Sequence, residues 1–543
     1  MTTDPGASPP VGDYYAPPPL DAPPMEDYGD PGEETTTAGR RTGATVRAVA
    51  AWARKRYRVV EDVDTRLRYY VTAAEPHIAI PHETLRPDLL DDYSRETGAD
   101  LPTLIGERVE HRLTRERRRA KVSRRWAEHT DDDGTRAVYI DLAPAPSGAV
   151  TYPPEPEREQ VIRVTSRGWA KQDSAPVIFA RSDFTAPHAV AAAGDDHQGS
   201  LERVRAVLGM ERTAWRLGVA WALTAMVPWV EVPALCMTGP EGSGKTTVAR
   251  VLGDLASAGP VDTAMTRDRD MVSHAAECAI FGVDNVSRLD ADQQDFACQI
   301  VTGATVVQRQ LYTNAGTSLR RVRRPVILNG VELGKMRKDL VSRLLPIRRD
   351  PLDDAAKSTP DVMTRQIDEL LPAARAELLD MLVVVLDGLE HHGGQPTRAT
   401  PSRMVAWVAV LDVLDAAYGW NTRAAYEAGL GQEFDRAVEG DPLASAFLQL
   451  TETPSWPGMW TGSAKDLLDL LGPYAPEDAG GRYSSWPSSY NQVPSAVGRI
   501  AGTLRRYGIT VTEPTGQSTV DGRRIRAWRI STPTTTETTP AGP

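Results

Sequence analysis

The sequence predicts a multidomain α/β protein with a parallel sheet at its centre, and three observations support this fold class. The chain has 543 residues, which exceeds what one hydrophobic core holds, and about 150 residues per domain gives three or four units. Between residues 230 and 350, apolar runs alternate with helical patterns, an order typical of parallel strands joined by helices. One of these runs enters a glycine-rich loop that opens a helix.

Composition narrows the class of protein. Apolar residues make up 41% and charged residues 25% of the chain, which is ordinary for a globular protein. The net charge of −11 argues against a chain that binds polyanions over its whole surface, although a local basic patch can still do so. The three cysteines, Cys236, Cys278 and Cys298, form no CxxC pair, which disfavours a zinc site or disulfide framework and fits a reducing cytoplasm.

The most apolar stretch, Leu217–Gly239, is interrupted by Pro228 and Pro233 and charged at Glu231. It therefore predicts a buried helix followed by a buried strand, and no membrane partner is expected. Both ends of the chain are rich in Pro, Gly, Thr and acidic residues, which predicts disordered tails. The predicted divisions are a tail at 1–44, an N-terminal α+β domain of unassigned role at 45–200, the core at 201–360, a helical region at 361–440, a compact C-terminal domain at 441–531 and a tail at 532–543.

Within the N-terminal region, residues 45–130 have a mostly helical pattern, and β-like segments follow it. A basic run at His111–Arg125 either contacts nucleic acid or forms a solvated helix face, and the second interpretation is slightly favoured. The predicted strands are Ala137–Leu142, Val161–Val164 and Val177–Phe179.

The glycine-rich loop Gly239–Thr246 matches the phosphate-loop pattern GxxxxGK[ST], between a strand at Pro233–Thr238 and a helix at Thr246–Leu255. Its glycines let backbone N–H groups turn towards phosphates at a helix N-terminus. Lys245 is expected to reach the β- and γ-phosphates and Thr246 to bind Mg²⁺, so ATP and Mg²⁺ are the predicted cofactors. The predicted nucleotide contacts are Gly239, Pro240, Glu241, Gly242, Ser243, Gly244, Lys245, Thr246 and Thr247.

Two further strands are predicted to end in polar residues beside this loop. The run Cys278–Val283 ends at Asp284, a second metal ligand, and the run Pro325–Leu328 ends at Asn329, a candidate sensor of the γ-phosphate. Asn285 can orient a water molecule but cannot accept its proton near neutral pH. Slow hydrolysis, help from another acid, and a transition state that needs little base catalysis all remain open.

Taken together, these motifs resemble those of the superfamily 3 helicases, a ring-forming branch of the AAA+ ATPases. They are most similar to phage and plasmid primase–helicase ATPases related to the poxvirus enzyme. The resemblance implies a hexameric ring, and it implies DNA and other replication proteins as partners. The segment Asp339–Pro346 resembles the one that supplies an arginine finger to the neighbouring subunit, which makes Arg343 the candidate and Arg348 and Arg349 the alternatives.

The same resemblance implies a helix at Asp290–Thr302 and then a β-hairpin that follows the DNA backbone. Val306–Thr313 and Ser318–Leu328 are its predicted strands, with the tip at Asn314–Thr317. The tip lacks the Lys or His of the family, so a solvated basic hairpin is the alternative. The hairpin arginines are Arg309, Arg320, Arg321, Arg323 and Arg324.

The C-terminal domain has the order of a winged helix. Helices are predicted at Ala464–Leu471 and Val493–Tyr507, and strands at Ile509–Thr512 and Arg523–Ile530. Such a domain binds DNA or another protein, and its arginines favour DNA. The candidate DNA-binding residues here are Arg499, Arg505, Arg506, Arg523 and Arg524.

The function predicted from these features is a DNA-dependent ATPase, a ring helicase of a phage or mobile element. The alternative is a DNA-binding initiator, loader or regulator that uses ATP as an assembly switch without unwinding.

Overall fold

A computed structural model of the chain describes residues 37–144, 159–192, 196–264, 268–303, 305–309, 317–334, 336–351, 359–439, 441–476, 479, 486–520 and 523–532. The chain divides into two compact units. The first contains Met1–Gly334 and Ser342–Glu427, and the second contains Lys335–Val341 and Ala428–Pro543. Within the described part, every helix is too short or too polar to cross a membrane.

The first unit begins with a mixed α/β region. Its six-stranded sheet has the order β4-β1-β2-β3-β10-β5, and a four-stranded sheet has the order β6-β7-β8-β9. The three predicted strands correspond to β7, β8 and β10, whereas the mostly helical pattern over 45–130 was wrong, because six strands lie within it. The elements are α1 (Thr37–Arg54), β1 (Tyr57–Asp62), β2 (Arg68–Thr72), β3 (Ile78–Pro81), α2 (Leu85–Thr97), α3 (Thr103–Arg115), β4 (Arg118–Ala120), β5 (Val122–Ser123), β6 (Trp126–Thr130), β7 (Arg136–Asp141), β8 (Val161–Thr165), β9 (Gly168–Gln172) and β10 (Ile178–Ala180).

The first helix corrects the predicted end of the N-terminal tail. Helix α1 begins at Thr37, so residues 37–44 belong to a helix rather than to a disordered tail. Its buried residues Val46, Val49, Ala50 and Ala53 follow the spacing of one helix face. The first two turns precede this apolar face, so no apolar pattern marks them. Residues 1–36 of the predicted tail lie outside the described residues.

The basic run at His111–Arg125 is not a single solvated helix face. It continues from α3 through β4 and β5, and Arg117 donates to the carboxylate of Glu61 at 2.8 Å. Arg125 is buried and joins this region to the next, because its guanidinium donates to the carbonyl of Asp141 at 2.7 Å and to that of Ala258 at 2.8 Å.

The centre of the first unit is a parallel sheet, as predicted. Its order is β12-β15-β11-β16, and all three pairings are parallel. A separate antiparallel pair, β13 and β14, forms a hairpin. The elements are α4 (Ser200–Leu208), α5 (Arg212–Ala225), β11 (Ala234–Thr238), α6 (Lys245–Ala256), α7 (Asp268–Glu277), β12 (Phe281–Val283), α8 (Ala291–Thr302), β13 (Thr305–Arg309), β14 (Thr317–Arg321), β15 (Val326–Asn329) and β16 (Leu344–Arg348). Between β15 and β16 the chain forms α9 (Lys338–Val341), which belongs to the second unit.

Local sequence signals fix the ends of α8. Asp290 is its N-cap and forms a capping box with Gln293, and Gly303 ends the helix with a φ of 80°. The hairpin is shorter than predicted. Strand β14 ends at Arg321, whereas Val326–Asn329 leaves the hairpin and joins the parallel sheet. The predicted tip lies outside the described residues except for Thr317, which is part of β14.

Three helices, α10 (Pro360–His391), α11 (Val405–Tyr418) and α12 (Thr422–Glu439), lie in the segment predicted to be helical. The second unit contains α9 and a C-terminal group of elements. Strands β17, β21 and β18 form one sheet, and β19 and β20 form a ribbon. These elements are α13 (Pro442–Glu452), β17 (Met459–Gly462), α14 (Ala464–Leu471), α15 (Val493–Arg506), β18 (Thr510–Thr512), β19 (Ser518–Val520), β20 (Arg523–Ile525) and β21 (Trp528–Ser531).

Two details of the C-terminal prediction are corrected. The predicted strand Arg523–Ile530 is two strands, and a further strand, β19, lies between the two predicted strands. The reason is that β19 pairs with β20, whereas β21 pairs with β17 and β18.

The predicted C-terminal tail begins one residue too early, because the backbone N–H of Thr532 donates to the carbonyl of Gly458 at 2.9 Å.

Candidate functional site

The carboxyl ends of three neighbouring strands meet at one edge of the parallel sheet. Strand β11 leads into the glycine-rich loop, β12 ends just before Asp284, and β15 ends at Asn329. Because β15 lies between β12 and β11, Asn329 lies between the other two strand ends. The side chains are in contact. The Thr246 hydroxyl lies 3.3 Å from Asp284 Oδ1, and the Asn329 amide donates to Thr246 Oγ1 at 3.0 Å and to Asp284 Oδ1.

The backbone of the loop requires glycine at several places. Gly242 and Gly244 have φ values of 72° and 78°, a left-handed conformation that glycine adopts without cost. A Cβ atom at Gly239 would lie 2.2 Å from the carbonyl oxygen of Arg349. Gly244 is the N-cap of α6, so the free N–H groups of the first helical turn open towards the loop, as they do in anion sites.

Three polar side chains lie in or beside the glycine-rich loop, where a ligand could contact them. Lys245 Nζ donates to the carbonyl of Pro240 at 2.7 Å, which keeps the amine inside the loop. Ser243 Oγ and Asn329 Oδ1 are buried and have no hydrogen-bond partner among the described residues. Buried polar atoms without a partner are uncommon, so this edge fits a polar ligand such as a triphosphate with its metal.

Thr246 and Asp284 fit a magnesium ion. One hydroxyl and one carboxylate, completed by phosphate oxygens and water, form the ligand set that Mg²⁺ takes at nucleotide sites. Elsewhere in the described part of the chain, no group of three or more His, Cys, Asp or Glu residues is placed to hold a metal.

The backbone gives a reason for asparagine at position 285. Asn285 has a φ of 54°, and its N–H donates to Asp284 Oδ1 at 2.7 Å. Asparagine tolerates the left-handed region better than other residues with a side chain, glutamate included. The conformation that turns this N–H onto the Asp284 carboxylate therefore favours asparagine over glutamate at position 285.

Arg349, an alternative finger in the sequence interpretation, lies behind its own loop. Its backbone N–H donates to Thr238 O at 2.8 Å, and its buried guanidinium donates to the carbonyls of Ser243 and Leu208. Burial lowers the pKa of Arg349. The side chain therefore supports the loop from within one chain. The sequence carried no signal for this, since nothing in the local pattern distinguishes a buried arginine from an exposed one.

Arg343 lies at the opposite edge of the sheet from the loop. It precedes β16 directly, and its carbonyl accepts from Ala234 N at 2.8 Å, at the start of β11. The five residues of β11 separate it from the loop by about 16 Å, at about 3.3 Å per residue. Arg343 therefore does not join the cluster of Thr246, Asp284 and Asn329 in its own chain.

The candidate DNA-binding arginines fall into two groups. At the hairpin, Arg320 Nε is buried without a hydrogen-bond partner among the described residues, Arg321 Nε donates to Gly303 O at 3.2 Å, and Arg323 is half-buried. In the second unit, the exposed members are Arg499, Arg505 and Arg524. The side chains of Arg309, Arg506 and Arg523 lie outside the described residues.

The fold and the site define the class of protein: a multidomain α/β chain with a glycine-rich loop at the edge of a parallel sheet. Residues 206–436 match the family described as the actinomycete integrative conjugative element replication protein. Residues 443–540 match the family described as the AICE RepA C-terminal domain. Over these two segments the chain is therefore similar to replication proteins of integrative conjugative elements.

Solved structures show a distant likeness. The chain is 11% identical to the NrS-1 C-terminal region, over 89% of this chain and 97% of that one, with a TM-score of 0.39. It is 17% identical to JCV helicase, over 44% of this chain and 74% of that one, with a TM-score of 0.20. Among curated proteins, none matches the sequence.

Proposed function

We propose that the chain is a DNA-dependent ATPase that forms a ring and uses ATP and Mg²⁺ to translocate on DNA during replication of the element. The observation that carries this proposal is the contact among Thr246, Asp284 and Asn329 beside the loop at Gly239–Gly244. A phosphate loop, a metal-binding acid and a polar sensor at three adjacent strand ends are the parts that a P-loop ATPase needs.

In this proposal each side chain has a distinct task. The loop N–H groups and Lys245 hold the phosphates, and Thr246 and Asp284 hold the Mg²⁺, which neutralises charge on the β- and γ-phosphates. Asn329 and Asn285 orient the water that attacks the γ-phosphorus as the bond to the ADP oxygen breaks. Because the transition state is largely dissociative, orientation by an amide suffices and no strong base is required.

The C-terminal elements support a DNA-binding role for the second unit. The order α13, β17, α14, α15, β18, ribbon and β21 supports the proposal of a winged helix, in which α15 would be the recognition helix and β19–β20 the wing. Arg499 and Arg505 are exposed on α15, and Arg524 is exposed on the ribbon. Their positive charge suits contact with DNA phosphates.

A second candidate function is an ATP-switched initiator or loader that does not unwind DNA. The observation that favours it is Asn285, which cannot accept a proton and so suits slow turnover. The two functions differ in what ATP accomplishes, because a switch needs binding and assembly, whereas a helicase needs repeated hydrolysis.

ATP turnover by the full chain with and without single-stranded DNA tests the proposed function. We expect DNA to accelerate turnover and a forked duplex to be unwound only when ATP is hydrolysable. Equal turnover with and without DNA, together with ATP-dependent assembly and no strand displacement, would instead support the switch.

Replacing Arg349 tests the support of the loop. We expect Arg349→Met to weaken nucleotide binding roughly thirtyfold, because two hydrogen bonds of about 1 kcal/mol each are lost behind the loop. Arg349→Lys should recover little, since an amine lacks the forked geometry that reaches both carbonyls. Titration with a fluorescent ATP analogue gives the affinity, and Arg348→Met, at an exposed neighbour, is the control. An affinity equal to that of the control would show that Arg349 does not position the loop.

A further inference from the structure

A cavity of about 380 Å³ lies at the foot of the β13–β14 hairpin. Four parts of the first unit supply most of its lining: the end of β1 and the turn after it, the segment around β5, the segment after α5, and the end of α8 with the end of β14 and the residues that follow it. Its lining shares none of the described residues of the proposed ATP site. The cavity is therefore a second candidate site, built jointly by the N-terminal region and the core.

Positive charge predominates in the lining. Three carboxylates, those of Asp62, Asp64 and Glu231, face six cationic side chains. An excess of cations in a concave, partly desolvated site raises the local concentration of anions. The cations are Lys121, Arg124, Arg125, Arg321, Arg323 and Arg324.

The arginines of the inner wall are held by neutral acceptors. Arg124 donates to the carbonyl of Ala276 and to the hydroxyl of Tyr69, both at 2.7 Å. Arg324 donates to the carbonyl of Cys278 at 2.7 Å. These acceptors satisfy the N–H donors and fix the guanidinium groups, but they do not neutralise the positive charge. The wall is therefore rigid and still cationic.

The carboxylates neutralise the wall only in part. Asp62 accepts from the backbone N–H groups of Thr65 and Val122, each at 3.0 Å, so its oxygens are already engaged with the backbone. Burial raises the pKa of Asp64, which disfavours its charged form. Glu231 lines the opposite side, on the segment after α5.

Arg323 lies close to the end of α8 because that helix ends in glycine. A Cβ atom at Gly303 would lie 3.1 Å from Arg323 Cβ, so glycine leaves space for the arginine stem. Burial lowers the pKa of Arg323, while Glu231 and Glu128 act in the opposite direction. A half-buried guanidinium of this kind gains most from a second, charged acceptor.

We propose that this cavity binds a backbone phosphate of single-stranded DNA, with Lys121, Arg321 and Arg323 as its contacts and the inner arginines as a fixed positive wall. The proposal rests on the proposed function and deepens it, because it gives the N-terminal region a share in holding the strand. Phosphate contacts fix the position of a strand without reading its sequence, which suits a protein that moves along DNA.

Binding of labelled oligothymidine to the full chain, followed by fluorescence anisotropy without nucleotide, tests the cavity. Lys121→Gln and Arg323→Gln are each expected to weaken binding roughly tenfold at low salt. Each should also lower the slope of log affinity against log salt by about 0.7, the value for one phosphate on a single strand. Arg108→Gln makes the same charge change at an exposed position of α3 and should bind like the wild type.

A protection experiment measures the site without a substitution. Single-stranded DNA should slow acetylation of Lys121 by a succinimidyl ester, read by mass spectrometry, while exposed Lys55 reacts unchanged. A non-hydrolysable ATP analogue should give no such protection, because its phosphates are expected on the loop at Gly239–Gly244. Protection by the analogue alone would assign the cavity to nucleotide phosphates and overturn the proposal.

The remaining outcomes separate the cavity from the proposed function. Unchanged affinity and salt slope in both cavity variants, or losses no larger than that of Arg108→Gln, would overturn the cavity proposal. Basal ATP turnover without DNA should be the same in all variants, and equal melting temperatures exclude misfolding as a cause. If the wild type does not hydrolyse ATP but the cavity variants still bind single-stranded DNA more weakly, the proposed ATPase function is wrong. The proposed phosphate site in the cavity would still be supported.

Discussion

Replacing Lys245 with alanine should reduce ATP hydrolysis by about a hundredfold or more while leaving the chain folded. The amine lies inside the loop, where it donates to Pro240 O at 2.7 Å, and it is the only cation of the loop itself. A fixed charge aimed at the transferring phosphate stabilises the transition state, and loss of one such group costs on the order of 10²–10³ in rate. The measurement is steady-state phosphate release at saturating ATP.

Lys171→Ala is the matched control for this experiment. Lys171 lies on β9 and pairs with exposed Glu159 at 3.2 Å, so the same change there removes one charge away from the loop. Its turnover should equal that of the wild type, and both variants should melt near the wild-type temperature, because neither side chain fills the core. Turnover close to wild type in a folded Lys245→Ala protein would show that the loop is not the ATP site.

Arg343→Ala should keep nucleotide binding and lose hydrolysis by roughly 10³, the lower end of the range for arginine fingers. Arg343 lies at the sheet edge opposite its own loop. Any ATP that Arg343 contacts must therefore be bound by the loop of a neighbouring chain. A guanidinium that acts in trans stabilises charge in the transition state and contributes little to ground-state binding. Nucleotide affinity and turnover, measured on the same preparation, separate the two effects.

Mixing two inactive variants tests whether Arg343 acts between chains. In a mixed assembly, some interfaces pair an intact loop from an Arg343→Ala chain with an intact arginine from a Lys245→Ala chain. Turnover should therefore rise above the sum of the parents and peak at an intermediate ratio, with assembly checked by light scattering. Arg348→Ala, at the exposed last residue of β16, should support full turnover alone if Arg343 rather than the alternative Arg348 is the finger. Mixtures that never exceed their parents would contradict both the finger and the ring.

The sequence predicted those parts of the site that lie within short, continuous motifs. The loop, Asp284 and Asn329 each follow a run of apolar residues, and the parallel pairing of those runs brings them together at one edge. Helix α8 was implied by the resemblance, and its ends also carry local signals, the cap residues Asp290 and Gly303.

What the sequence did not predict depends on contacts between distant residues. Arg125 and Arg349 are buried because carbonyls far away in the chain accept their hydrogen bonds, and patterns of apolar residues carry no information on such partners. Among the N-terminal strands that were missed, β4 and β5 cover only three and two residues, too few to show an alternating pattern. The segment Arg523–Ile530 was predicted as one strand because pairing partners, which local preference does not specify, decide where β20 ends and β21 begins.

The placement of α9 bears on how such proteins are inherited. The two family matches meet between residues 436 and 443, which looks like a natural point for exchange of C-terminal domains between elements. Yet α9, encoded about a hundred residues upstream, is part of the second unit, where Leu340 and Val341 are buried and Lys338 Nζ donates to Arg499 O at 3.0 Å. A crossover at that point would give α9 a foreign partner. We therefore expect α9 and the C-terminal domain to be inherited together. Chimaeric proteins should fold and function only when α9 is exchanged together with the C-terminal domain.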